Sequence, residues 1–130
     1  MKALLPPGWS RPKGYANGIS AKGRVIVTAG VVGWTAEEKF EATDLPGQFR
    51  QVLRNTLAIL AEDDAGPEHI VRMTWFVTDI PAYRASLKEI GSAYKELIGK
   101  NFPAMAVVGV TALVEPQAMI EIETTAVVPE

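Results

Sequence analysis

Asn101-Phe102-Pro103-Ala104-Met105-Ala106-Val107-Val108-Gly109-Val110-Thr111-Ala112-Leu113-Val114-Glu115-Pro116-Gln117-Ala118-Met119-Ile120-Glu121-Ile122-Glu123 is the stretch whose reading decides the fold. Two strand-like runs, at about 103–113 and 119–128, flank a turn that contains Pro116. Both runs carry apolar residues at both parities: Val107 and Gly109 against Val108 and Val110, and Ile120 and Ile122 against Met119 and Val127. Within the second run, strand alternation puts Glu121 and Glu123 on one face, about 7 Å apart.

The preceding chain supplies what packs on these strands. Pro81 opens a helix whose apolar stripe is Tyr83, Leu87, Ile90, Tyr94 and Leu97, and Gly99 is placed to end it. Ile70 to Asp79 reads as a strand, with Met73, Trp75 and Val77 on one side and Arg72, Thr74 and Phe76 on the other. Farther back, Asp44 is an N-cap, and Pro46 lacks an N–H that would have no partner in a first turn. Phe49, Val52, Leu53, Leu57, Leu60 and Ala61 then recur at helical spacing. Gln48, Arg50, Gln51, Arg54 and Asn55 fill the opposite face, and Asp63-Asp64-Ala65-Gly66-Pro67 stops the helix. Tyr15–Ser20 and the β-branched run Arg24–Val32, joined at Lys22-Gly23, suggest a hairpin. Residues 1–13, broken by Pro6, Pro7 and Pro12, read as an irregular arm of a single domain spanning 1–130.

The resulting order, β-β-α-β-α-β-β, predicts an α+β fold: a mixed β-sheet with two helices packed on one face. Helices on one side leave the other side bare, and a sheet apolar on both faces must bury the second one. Another copy of the chain is the expected cover, in a closed homo-oligomer.

Composition narrows the function classes. With 130 residues, 48% hydrophobic and 22% charged, the chain can build one real core. A net charge of −2, with 13 Lys and Arg spread along the sequence, leaves no basic stripe for nucleic acid. The absence of cysteine removes disulfides, thiolate catalysis and Cys-based metal sites, and a lone histidine, His69, cannot form a multi-histidine centre within one chain. No metal and no cofactor are expected. The start, Met1-Lys2-Ala3-Leu4-Leu5-Pro6-Pro7, is too short and Pro-broken for a signal peptide, and no apolar run has membrane-span length; a cytoplasmic protein is the expectation. There is no phosphate-binding G-x-x-x-x-G-K-[ST] and no G-x-S-x-G elbow.

Four local motifs, in order and spacing, resemble the RidA (YjgF) family of enamine/imine deaminases over about Pro12 to Val128. They are Gly14-Tyr15, Ile26-Val27-Thr28-Ala29-Gly30, Arg72-Met73-Thr74-Trp75-Phe76-Val77-Thr78-Asp79, and Phe102-Pro103-Ala104 with Ile120-Glu121-Ile122-Glu123. The resemblance implies a chorismate-mutase-like fold, a homotrimer, and small-molecule clefts between subunits. It also implies cofactor-independent hydrolysis of a 2-imino or enamine acid to a 2-keto acid and ammonia.

Residue by residue, the resemblance gives Glu121 the catalytic position, holding or activating the attacking water. A carboxylate at an apolar cleft suits acid or base work, although an intersubunit hydrogen bond or ion pair is the structural alternative. Tyr15, the backbone of Ala29, Gly30 and Val31, and Val107 fall at ligand-holding positions. Trp34, in the loop after the second strand, either stacks on a planar ligand or caps the core. Three positions depart from the family pattern. Met105 stands where the family has the arginine that grips the substrate carboxylate; Ala29 replaces a hydroxyl residue, and Lys88 a neutral polar one. A thioether cannot form the charge-assisted fork that a guanidinium offers. Either the cleft is retuned toward a less acidic or more apolar ligand, or deamination is lost and Met105 only fills space; a cation from elsewhere, such as Lys88 or Arg84, is a third option. The expectations are therefore an imine deaminase of altered preference, a non-deaminating small-molecule-binding trimer, or, disfavoured by the charge, a ribonuclease.

Overall fold

The computed structural model describes residues 1–130. A short ribbon pairs β1 (Lys2–Ala3) with β2 (Ile19–Ser20). The main sheet contains β3 (Arg24–Val27), β4 (Val31–Val32), β5 (Ile70–Val77), β6 (Ala104–Gly109) and β7 (Ile120–Val128). The long strand β7 is its spine. β3 and β4 pair with it antiparallel on one side, β5 antiparallel on the other, and β6 lies parallel to β5 at the far edge. Helices α1 (Leu45–Ala61), α2 (Ile80–Ala85) and α3 (Leu87–Leu97) complete the chain. The architecture is the mixed-sheet α+β fold expected from the sequence.

Alternation along the strands sorts the side chains. Met73, Trp75, Val77, Ile120, Ile122 and Ala126 point to the helices and join Phe49, Val52, Leu53 and Leu60 of α1 in a continuous core. Burying each such large side chain stabilises the fold by about 1.5–3 kcal/mol. Asp44 does cap α1, its carboxylate accepting the Gly47 N–H at 2.9 Å. Gly99 closes the C-terminal end of α3 with φ +92, a backbone region that suits glycine, and its N–H reaches the Tyr94 carbonyl at 3.1 Å.

Several local expectations are corrected. The N-terminal hairpin does not form: Ile19–Ser20 pairs with Lys2–Ala3, so part of the arm is strand, and Arg24–Val27 pairs with β7 instead. The expected single strand over 24–32 is broken into β3 and β4. Val27 faces Thr125 and Val31 faces Ile122, so four residue steps on one strand oppose three on the other, a bulge at Thr28-Ala29-Gly30. The second helix is likewise divided at Ser86, whose φ −108 and ψ 12 lie outside the helical region, and Leu87 is 53% exposed rather than buried. Gln48, assigned to the solvent face of α1, is buried, because its amide bonds the carbonyls of Ala42 and Gln117 and accepts the Met119 N–H, tying two loops to the helix. The bare face of the sheet is more polar than expected. The odd positions of β7 bring Glu121, Glu123 and Thr125 there, beside Arg72 and Thr74, while the exposed apolar side chains of that face are Val25 and Val27 of β3 and Val108 of β6.

Candidate functional site

The residues singled out in the sequence fall into two groups on opposite faces of the sheet. The first lies on the helix side, at the exposed edge strand β6. Met105 and Val107 face the helices in register with Met73 and Trp75. Between them and α3 opens a cleft of about 700 Å³, to which the N-terminal segment contributes Tyr15. A parallel bridge between Ala16 and Ala104 and the Ala16 N–H bond to the Pro103 carbonyl, 2.9 Å, hold that segment against β6. The wall is aromatic. Trp75 and Tyr83 meet edge to face at 6.4 Å, and Tyr94 stacks on Phe102 at 5.7 Å with planes 12° apart. Burial pushes the phenols of Tyr83 and Tyr94 upward, so both stay protonated at neutral pH. Tyr94 donates its proton to the Asn101 carbonyl, which fixes the ring.

The second group lies on the bare face. The bulge at Thr28-Ala29-Gly30 is stitched to β7 by the Thr28 N–H to the Thr124 carbonyl, 2.9 Å, and by the Thr124 N–H to Thr28 Oγ1, 3.1 Å. It brings Gly30 beneath Glu121. A Cβ placed on Gly30 would lie 2.4 Å from Glu121 Oε2 and 2.8 Å from its Cδ, so the missing side chain is the space the carboxylate occupies. Glu121 is half-buried and Glu123 exposed, and neither is ion-paired. The backbone of Ala29 and Gly30 is open to solvent, whereas the Val31 side chain is in the core.

Two predicted residues join neither group. Trp34 packs on Phe40 at 5.8 Å, and its carbonyl accepts from Asn55 of α1 at 2.7 Å. Lys88 is exposed on α3, one position beyond the cleft-lining Leu87. His69, which turns its Nδ1 to accept the Gly66 N–H at 2.9 Å, serves the turn before β5. Sequence reasoning missed the cleft's rim and notch: Lys13, Lys95, Lys100 and Gly91. The available signal was the i, i+4 row Leu87-Gly91-Lys95, a line beside the apolar stripe along α3.

The fold and the cleft define a class: a small mixed-sheet α+β protein with an edge-strand cleft and carboxylates on its bare face. The comparisons narrow it. The family model described as endoribonuclease L-PSP matches residues 10–128. A RutC family protein of Haemophilus influenzae is 31% identical over 105 residues, 81% of this chain and 80% of that protein. Among solved structures, the Rid-family protein YyfB of Yersinia pestis superposes with a TM-score of 0.84 at 30% identity over 98% of both chains. Rv2704 of Mycobacterium tuberculosis, from the YjgF/YER057c/UK114 family, gives 0.68 at 32% identity over 88% and 87%. The YjgF gene product of E. coli gives 0.71 at 27% over 96% and 92%. The chain belongs to the Rid/YjgF (endoribonuclease L-PSP) family.

Proposed function

We propose that the protein is a Rid-type enamine/imine hydrolase whose site is assembled between copies of the chain in a closed homotrimer, with ligand specificity shifted by Met105. The observation that carries this reading is the pairing of Glu121 with Gly30 on one face of the sheet and the Met105 cleft on the other. Glu121 lies across from Phe76, and Met105 across from Met73, with β5 between their strands. Two strand spacings across the sheet, about 10 Å, and three residue rises along it, again about 10 Å, put them about 14 Å apart in the sheet plane and on opposite faces, so one chain cannot bring both to one small molecule. A neighbouring copy that covers the bare face supplies the missing half.

In that arrangement the ligand lies in the cleft of one copy, and Glu121 of the next holds a water against the imine carbon. The carboxylate takes a proton as the water oxygen bonds to carbon. With the imine nitrogen protonated at the outset, the resulting carbinolamine accepts that proton on nitrogen, the C–N bond breaks as ammonia leaves, and the carbinol hydroxyl gives its proton back to the Glu121 carboxylate as the C=O bond forms. The open backbone at Ala29-Gly30 offers polar contacts where the family's hydroxyl residue is replaced. With Met105 in place of arginine, the substrate carboxylate loses its fork-shaped partner, which disfavours small 2-imino acids.

Ammonia release from freshly generated 2-aminoacrylate and from bulkier imines tests this reading. Faster release with the bulkier imine, abolished in Glu121→Gln, is the expected result. No release from any imine removes the hydrolase reading. Met105→Arg sharpens it: a gain confined to 2-imino acids would show that the arginine position, and not the fold, sets the preference. The apolar lining at Met105 favours a second reading, a trimer that binds a small molecule without turning it over; saturable thermal protection without ammonia release is its mark.

A further inference from the structure

We infer that the α3–β6 cleft takes an aromatic carboxylate: a planar apolar ring against Trp75 over the Gly91 notch, with its acid group at the lysine rim. The inference deepens the proposed function and rests on it for the cleft being the ligand site. Three independent features carry it.

The first is a glycine that the fold does not need. Gly91 sits in the middle of α3, where glycine is the least favoured residue after proline. Its φ is not in the left-handed region, and a Cβ built there meets nothing within 4 Å. Neither backbone conformation nor packing explains it. What lies over it is the cleft, and an absent side chain lets a flat body approach the helix closely.

The second is the lining. Tyr15 and Phe102 are each 43% exposed and Leu87 is 53% exposed, and all three meet in this one cleft. A cluster of exposed apolar side chains around a concavity marks a binding surface. Trp75 is 3% exposed and lines the same cleft, yet its Nε1–H has no hydrogen-bond partner. A buried donor of this kind can make an N–H···π contact with an aromatic ring laid against it.

The third is charge. Lys13, Lys95 and Lys100 line the cleft, and no carboxylate does. The chain's ion pairs are Arg24 with Asp63, Arg50 with Glu96, and His69 beside Glu68, so all three lysines are unpaired. A rim of one sign around an apolar floor selects an anion with an apolar body. Met105 is half-buried and packs on the core, at the position that would meet the acid group of a small 2-imino acid, whereas the three lysines are exposed. An acid that reaches them is therefore longer than a 2-imino acid anchored at position 105.

The test is equilibrium binding followed by Trp75 emission in a Trp9→Phe, Trp34→Phe background, where Trp75 is the only indole. The probes are 3-phenylpropanoate, its neutral isostere 3-phenylpropanamide, and propanoate. The expected result is saturable binding of 3-phenylpropanoate, about tenfold weaker binding of the amide, and none of propanoate. Lys95→Gln and Lys100→Gln should each weaken the aromatic acid by about two- to fivefold, and added salt should remove that difference. Gly91→Ala and Gly91→Leu should keep or raise Tm while weakening binding by about tenfold or more, an effect that misfolding cannot mimic. Equal binding of acid and amide, binding of propanoate as tight as that of 3-phenylpropanoate, or no saturable binding overturns the inference. The ammonia assay separates the two claims. Aromatic acid binding without imine turnover removes the hydrolase and leaves this inference; turnover without aromatic acid binding does the reverse.

Discussion

The two faces of the sheet are chemically unlike. The helix side ends in a cleft of aromatic rings with a glycine notch, a lysine rim and no carboxylate. The bare side holds Glu121 and Glu123 beside a strand bulge, with threonines around them and no cleft of comparable apolar character. Alternation along a strand creates this division: one residue step from Ile120 or Ile122 to Glu121 crosses the sheet. Under the proposed function, ligand-holding and proton-handling groups are therefore kept apart within one chain and act together only when copies meet.

Perturbing one face at a time should separate the two roles. The largest effect is expected at Glu121. Glu121→Gln should lower imine turnover by about 10²- to 10⁴-fold while leaving the urea midpoint nearly unchanged, because the side chain is only half-buried and makes no ion pair. A matching loss of stability would place Glu121 in the framework rather than the chemistry. Trp75 is the opposite case. Its indole packs at 4.8 Å from Phe49 and is 3% exposed, so Trp75→Ala should cost about 3–5 kcal/mol in denaturant unfolding. Gly30→Ala probes the bare face more finely. Its Cβ would collide with the Glu121 carboxylate but not with any backbone atom, so the carboxylate shifts and the fold stays. Turnover should fall by about 10²-fold, the cost of an ångström of misplacement, with Tm nearly constant.

The smallest effect near neutral pH is on the helix side. Burial raises the Tyr94 phenol from 10.0, and Tyr83 shifts in the same direction. The unfolded chain sheds these protons as pH passes about 10, while the folded chain keeps them, so the unfolded state then binds fewer protons. The contribution of these two phenols to stability should be level below pH 10 and be lost above it, and Tyr94→Phe should flatten that loss. An unchanged slope in Tyr94→Phe would mean that the phenol is not buried in solution.

Much of the fold was legible in the sequence because its strongest signals are local. Asp44 with Pro46, the helical recurrence of Phe49, Val52, Leu53 and Leu60, and the alternation in β5 and β7 each state their own structure. The failures are where pairing is set by distant chain. Ile19–Ser20 had no local mark to prefer Lys2–Ala3 over Arg24–Val27, and the bulge at Thr28-Ala29-Gly30 is defined only against Thr124. Gln48 looked polar and was assigned to solvent because its loop partners, Ala42 and Gln117, are invisible to helical periodicity. Motif matching pointed to Glu121, Gly30, Tyr15 and Met105, the residues on which the proposed function rests. It missed Gly91, Lys95 and Lys100, since a glycine inside a helix and lysines on its surface acquire meaning only from the space beside them.

The central claim is that the Ala29-Gly30-Glu121 patch of one copy faces the Met105 cleft of another. The chain has no cysteine, so an Ala29→Cys, Met105→Cys variant treated with a short bismaleimide reads that proximity directly. Covalent species at two and three times the 14.1 kDa chain, absent from either single variant, are predicted. A lone 14.1 kDa band, with both thiols modified and sedimentation showing one copy at micromolar concentration, would contradict the account.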